Sequence, residues 1–544
     1  MLPSFFKSCS HRCAVFVSLV LVTVASIGAV PVRGTVVDEE TAKALPSRLY
    51  IQSADGQWFF ARSENPNGSA VKYQKQSGPN SVEMHTTLSA HPFVADLPRG
   101  QYTVTVERGK EYQPWQHTIR VFQEPVSFEI KLRRCLDMAR LGWFSGETHT
   151  HRLLSELPNV MLAEDLNVTL PLTFWVTKSN TPPTQGDKNA EPVQPKLIQV
   201  DATHVIYPMN TEYEIFTIAG QNHMLGAIFA LNHKTVLNVG VPPVSPVSQR
   251  VHAEAGLLEL DKHNWPWSMM LVPIMNVDLY ELTNNHLWRT EFSRRHFGSG
   301  PPDYMHIEQD DDGMTEQGWI DFTLQNYYAL LNSGFRLRPT AGTASGVHPV
   351  PLGFGRVYVH LPDGFSYDAW MNGLNAGHSF VTTGPLLDVR FNGMPAGTNF
   401  DHEGGSPFRL RVSGMVQSLN RLERLEIVSA GQVVRQVKLS NHETTAGSLE
   451  TRFDESIELS NSSWVALRCF ERHSNGRVRY AHTAPVHIAI AGKPLHPRRD
   501  ETQFLIERVE TELARNARVL SEDALSEYKR AAAAYREITT QKVP

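Results

Sequence analysis

Cysteine is scarce in this sequence. Four occur in 544 residues, and two of them, Cys9 and Cys13, fall in an N-terminal stretch that reads as a leader. Cys135 and Cys469 remain, in what read as different domains, so no disulfide framework holds the fold and packed cores must. Excess positive charge is missing too. A formal net charge of -5 offers no general attraction to nucleic acid. Long uncharged apolar runs are limited to Ala14 to Val30, so the rest of the chain is expected to be soluble on the far side of a membrane. No GxSxG, Walker or dinucleotide glycine pattern stands at a suitable strand-to-helix turn, and GTASG lacks the nucleophile-elbow spacing. Asp310-Asp311-Asp312-Gly313 lacks the later glutamate that a calcium loop requires.

What is present divides the chain into segments, as a length beyond one hydrophobic core demands. In residues 1–30, Lys7, His11 and Arg12 precede the apolar run, and Ser26, Gly28 and Ala29 crowd its end. This is the pattern of a cleaved export signal, with an uncleaved anchor over residues 14–30 as the alternative. The expected location is periplasmic or extracellular. Residues 31–134 alternate apolar and polar positions between turns and read as a β-sandwich. A G-x-V start and the LPRGQYTV strand resemble the prealbumin-like fold of carboxypeptidase regulatory domains. In residues 135–385, apolar strands such as HMLGAIFAL alternate with helical periodicity. In WIDFTLQNYYALLNSG, Ile320, Phe322, Leu324, Tyr327, Tyr328 and Leu331 form one stripe that Gly334 can end. Alternating strands and helices argue for an α/β layer or barrel. Residues 386–492 return to alternating strands, a second sandwich. Residues 493–544 are a linker and two amphipathic helices, with Ser521 as an N-cap.

The reactive residues are concentrated in the middle. LGWFSGETHTHR ends an apolar run with Glu147, His149 and His151 at alternate positions, which an extended chain turns to one face. Glu156, Glu212, His223 and His263 follow, each beside an expected strand end, where a barrel would gather them at one rim. Imidazole with carboxylate suits zinc, manganese or iron. Calcium would call for oxygen ligands alone.

These residues resemble the PHP (polymerase and histidinol phosphatase) superfamily, in particular its CehA/McbA-type metallohydrolase branch. The resemblance covers the central segment. The family's G-D-x-H-x-H opening reads here as Gly146, Glu147, Thr148, His149, Thr150, His151, and its next acidic ligand lands on Glu156. Glu212 and His223 stand as a bridging and a terminal metal ligand, His263 as a later one, and GHSFVTTGP closes the barrel. The implied architecture is a distorted (β/α)7 barrel between two β-sandwiches, followed by a helical tail.

The departures are as definite. The family's T-D-H reads Thr177, Lys178, Ser179, and its S-D-x-H reads Thr343, Ala344, Ser345, Gly346. Three ligands are thereby missing, and His348, two residues late, compensates only if its loop is rearranged. One or two ions are expected, held by His149, His151, Glu212 and His263 or His223. Glu156 or Glu212 could act as the base. Lys178 could stabilise developing charge, fill a lost metal position, or face solvent. Asn284, His286, Arg289, Arg336 and Arg338 could line the rim for an anionic or polar substrate, or form salt bridges. The expected function is an exported metal-dependent hydrolase of ester-like bonds acting on a small-molecule or glycan-linked substrate. The other expectation is a barrel that binds but no longer turns over.

Overall fold

The computed structural model describes residues 28–540, apart from residue 190. The leader, with Cys9 and Cys13, therefore lies outside the described residues except for its last three positions. The chain is a mixed α/β protein, rich in strands and poor in helices, built on several sheets.

Two sheets pack face to face at the N-terminal end. One holds Val30–Asp38 between Val126–Leu132 and Phe93–Leu97; the other holds Ser47–Ser53 between Val82–Leu88 and Gly100–Glu107. Alternate residues of each strand (Val32 and Val36, Leu49 and Ile51, Val104 and Val106) point into a shared core, the period-two burial that a sandwich requires.

The central strands fall into two sheets. A seven-stranded sheet runs in the order Thr184–Gln185, Phe174–Lys178, Thr211–Ile218, Gln221–Leu231, Leu257–Leu260, Leu279–Thr283, Arg338–Ala341. Val168–Pro171, Trp143–Thr150, Arg356–His360 and Ser379–Thr382 belong instead to a twelve-stranded sheet. Among the described residues the strand ladders show no closed barrel: the central strands lie in two sheets, joined by an isolated bridge between Thr150 and Ser345. Nor is the repeat uniformly parallel. Thr211–Ile218 and Gln221–Leu231 form an antiparallel hairpin whose turn residues Ala219 and Gly220 have φ of 48° and 78°. The helix Glu316–Asn332 buries the expected stripe and is capped by Thr315, whose hydroxyl accepts from Gly318 N at 3.0 Å.

The twelve-stranded sheet continues past residue 385. Ser379–Thr382 pairs with Val478–Thr483, which leads to Ser463–Arg472 and Leu422–Ser429. A four-stranded sheet around Phe408–Ser418 covers this half, and their common core takes in Trp143, Tyr358 and Phe380 from the central strands. The second sandwich thus shares its core with the central strands. The tail helices Arg499–Asn516 and Glu522–Thr540 bury Leu505, Val509, Tyr528 and Tyr535 against the central core. Glu527 caps another helix by accepting from Val244 N at 2.8 Å and Ser245 N at 2.9 Å.

Candidate metal centre

The strand Trp143–Thr150 is buried on both faces along its whole length. Its register with Val168–Pro171 slips between Glu147 and Thr150, and the slip breaks strict alternation. Thr148 and His149 then both reach inward: Thr148 Oγ1 donates to Glu259 at 2.8 Å, while His149 Nδ1 lies 3.2 Å from both oxygens of Glu281. Glu147 does not join the imidazoles. Its carboxylate accepts from Thr343 N at 2.9 Å and Gly353 N at 2.5 Å, tying down the loop after Arg338–Ala341. Burial pushes the Glu147 carboxyl up to about 8.

Register across the seven-stranded sheet supplies the partners. Trp175 pairs with Glu212, Glu212 with Phe229 and Phe229 with Glu259, so one row carries two carboxylates and the aromatic ring on which His149 packs at 4.5 Å. His151 Nε2 lies 3.4 Å from Glu212 Oε2, and the two imidazole centroids are 5.3 Å apart. Ligand atoms of His149, His151 and Glu212 come within 4.8 Å of one another, as do those of His149, Asp261 and Glu281. The first group opens into a cavity of about 330 Å³, lined also by Trp175, Lys188, Glu214 and His348.

Charge explains what such a place calls for. Glu212, Glu214, Glu259, Asp261 and Glu281 are gathered within the fold, and Lys262 is the cation placed among them, bonded to Asp261. Burial, and then the neighbouring Glu214 and Asp261, push the Glu212 carboxyl well above the usual range. Burial and Asp261 do the same to Glu281, and burial lifts Glu259 to about 8 and Glu214 to about 7. The imidazoles are held neutral: burial, then Lys188, brings His151 down to about 3, and burial, then His151, takes His149 well below its usual value. Neutral imidazoles beside an excess of carboxylate are donors that suit a divalent cation. With Nδ1–H given to Glu281, His149 keeps the Nε2 lone pair that a metal needs. Among the described residues, no donor except a protonated Glu281 comes within hydrogen-bond distance of Asp261 Oδ1.

The other expected residues lie elsewhere. His223 is near the hairpin tip, where Thr217 pairs with Asn222, while Glu212 is near its base opposite Phe229. Five or six residues of strand, roughly 17–20 Å, separate the two, and His223 Nε2 instead bonds Asn516 Oδ1 at 2.6 Å. His263 packs its ring 5.0 Å from Trp319 and 4.7 Å from Phe322, with Nδ1 3.3 Å from Thr323 Oγ1. Glu156 stands at the N-terminal cap of Leu157–Ala163, outside the cavity lining, and Lys178 is exposed at its strand end. Arg289 pairs with Glu83 of the N-terminal sandwich at 2.9 Å. Asn284 and His286 are buried, Asn284 accepting from Trp319 Nε1 at 3.1 Å. Arg336 and Arg338 lie with His378 and His487 around a separate cavity of about 710 Å³, where Arg338 pairs with Asp278 at 3.3 Å.

The gaps at 344 and 346 have a physical cause. Ala344 and Gly346 take φ of 50° and 104°, and a Cβ at Gly346 would stand 2.4 Å from the His151 carbonyl oxygen. No side chain fits at 346. The loop turns there and brings His348 to the cavity instead.

No family model matches the chain, and no curated protein matches it. Among solved structures, a two-domain protein from Bacteroides vulgatus containing a predicted PHP-like metal-dependent phosphoesterase is similar to it at 9% identity, over 60% of this chain and 90% of that chain, with a TM-score of 0.28. Similarity that low carries no argument about this protein, and the chemistry rests on its own residues.

Proposed function

We propose that the chain is an exported metal-dependent hydrolase of PHP type, acting on an ester-like bond: a phosphoester, carboxylic ester, amide or carbamate. The supporting observation is the convergence of His149, His151 and Glu212 beside a solvent-reaching cavity in a pocket with more buried carboxylate than cation. These three would hold one zinc, manganese or iron ion, with Glu281 orienting His149. A divalent cation there acts as a Lewis acid and makes water a nucleophile at neutral pH.

The chain's own groups do the rest. Glu214, facing the cavity and lifted to about 7, is poised to take and return a proton near neutrality. Lys188 lines the cavity and donates from Nζ to the His151 carbonyl at 3.0 Å, placing positive charge where an anionic leaving group would collect. Trp175 walls one side with an apolar face. A small-molecule or glycan-linked substrate fits a cavity of this size, and the N-terminal segment would direct export or anchor the chain.

The test combines metal analysis with turnover. The purified chain should carry zinc, manganese or iron, and should hydrolyse p-nitrophenyl phosphate diesters or carboxylic esters. His149→Ala and His151→Ala should remove both metal and activity while the chain stays folded. Less than a tenth of an equivalent of metal in folded protein overturns the reading. Metal without hydrolysis of any ester-like probe would favour the second one, a PHP-type binding protein without turnover, for which the side-chain-free turn at Gly346 speaks.

A further inference from the structure

Lys262 has no place in the ligand set, yet it occupies the middle of the acidic pocket. It is 3% exposed, its ammonium bonds Asp261 Oδ2, and it stands 4.3 Å from the centroid of the Trp265 ring. A buried ammonium is tolerated only when opposite charge surrounds it, and Lys262 is near enough to act electrostatically on Glu212, Glu214 and Glu281. On its other side are neutral imidazoles whose protonation it opposes, His263 and His286 among them. His263 Nε2 and His286 Nδ1 are buried without a hydrogen-bond partner among the described residues.

The two potential ligand groups differ in one respect. Among the described residues no lysine or arginine forms an ion pair with the side chains of His149, His151 or Glu212, whereas in His149, Asp261 and Glu281 the aspartate is already bound by the lysine. A dication entering the second group would take Asp261 Oδ1, the oxygen that Lys262 leaves unpaired, and would sit beside a like charge with no solvent between them to screen it.

We propose that Lys262 is a resident counter-charge that holds Asp261 and keeps the His149–Asp261–Glu281 group from taking a divalent ion, so that the chain binds one metal and not two. The role that the sequence offered to Lys178, a side-chain charge in a lost metal position, falls to Lys262. The inference rests on the proposed metal reading of His149, His151 and Glu212, but the experiment separates the two.

Metal-stripped chain is titrated with zinc and with manganese, and bound ions are counted by calorimetry and elemental analysis after gel filtration. The wild type should take one equivalent, and so should Lys262→Arg, which keeps the charge. Lys262→Met and Lys262→Gln, the second retaining a donor for Asp261, should each take two, the second ion on the carboxylates of Asp261 and Glu281, since His149 gives its Nε2 to the first. A wild type that takes two ions overturns the inference, as does either neutral variant that folds, by circular dichroism and thermal unfolding, and still takes one. A wild type that binds none while a neutral variant binds one would sustain the role of Lys262 and overturn the proposed native metal site. No binding by any folded form overturns both.

Discussion

The most discriminating perturbation is pH applied to metal binding. In the metal-free fold Glu212 and Glu281 have carboxyls raised well above the ordinary range, by burial first and then by neighbouring carboxylates. Both therefore hold their protons to higher pH than ordinary carboxyls, and an ion that draws on them must expel those protons. Each proton released makes affinity climb about tenfold per pH unit, about 1.4 kcal/mol, so two give about a hundredfold. The imidazoles contribute nothing to this rise, because His151 lies at about 3 and His149 well below its usual value. An ordinary histidine site would flatten above pH ~6.5, but here Glu214, lifted to about 7, and the raised Glu212 and Glu281 should keep affinity climbing past that point. Linkage has the same origin. An acid whose folded pKa is raised contributes stability below its unfolded value, near 4.5, and loses it as pH rises through the folded value. The metal-free chain should thus weaken toward alkaline pH, and bound metal should reverse that. Calorimetric titration in two buffers of different ionisation heat counts the protons, and thermal unfolding with and without metal follows stability. Affinity that is flat between pH 6.5 and 8.5, with no proton released, would refute the charge argument.

Three further outcomes follow from single contacts. Gly342→Ala would set a Cβ 2.2 Å from His149 Cβ and 2.5 Å from Glu281 Oε1; a melt should show about 1–3 kcal/mol lost to overpacking, and metal titration a loss of about 10–100-fold. Wild-type values for both would mean that the loop does not press on the site. His223→Ala should leave metal content unchanged and destabilise the docked tail by about 1 kcal/mol through its bond to Asn516; loss of metal would return His223 to the ligand set. His482 is fixed as the neutral tautomer, Nδ1–H donating to the Thr483 carbonyl at 2.6 Å and Nε2 accepting from Tyr328 at 2.9 Å, and burial takes it down to about 3. Its share of stability is complete above pH ~6.5 and falls by about 1.4 kcal/mol per pH unit below that, so His482→Gln should flatten the acid limb of a denaturation series, and an unchanged limb would count against this assignment.

Much of the architecture is legible because period-two alternation and turn residues are local signals. The first sandwich shows this in Tyr102, Val104 and Val106, which enter one core as their spacing implies. The sheet that crosses residue 385 is not legible, since the pairing of Phe380 with Thr483 joins residues about a hundred positions apart without a motif. In the site, HxH was readable because an extended chain turns residues two apart to one face, and further acids and imidazoles follow in the same segment. Asp261 and Glu281 are absent from the expected ligand set, though a signal exists. GLLELD and LYELT are apolar strand sequences interrupted by acids, and a carboxylate in a strand buried on both faces needs a partner. The spacing of Glu212 and His223 misled for a physical reason. Eleven residues can carry a chain forward or fold it back, and the positive φ values of Ala219 and Gly220 fold it back.

The loop of residues 342–348 shows why the N-terminal sandwich belongs to the site. A turn made of Gly342, Ala344 and Gly346 has few side chains with which to hold itself, so its position must be imposed from outside. Part of that comes from His149, whose carbonyl accepts from Ala344 N at 2.8 Å, and part from Ser345, whose carbonyl accepts from His151 N at 2.8 Å. The remainder comes from Tyr73, in the strand Ala70–Gln76. Its hydroxyl accepts from Gly346 N at 2.8 Å and donates to the His348 carbonyl at 2.6 Å, while Arg152 lies 4.1 Å from its ring centroid. One phenol thus ties Gly346 to His348 and sets where His348 stands. The sandwich is held in turn by ion pairs into the central segment, Glu83 with Arg289 and Arg48 with Glu164, all but Arg289 nearly fully buried. Breaking either pair would strand a buried charge, which costs about 3–5 kcal/mol, so the domain cannot swing away from the cavity without large loss. Its placement is part of the geometry of the candidate metal centre.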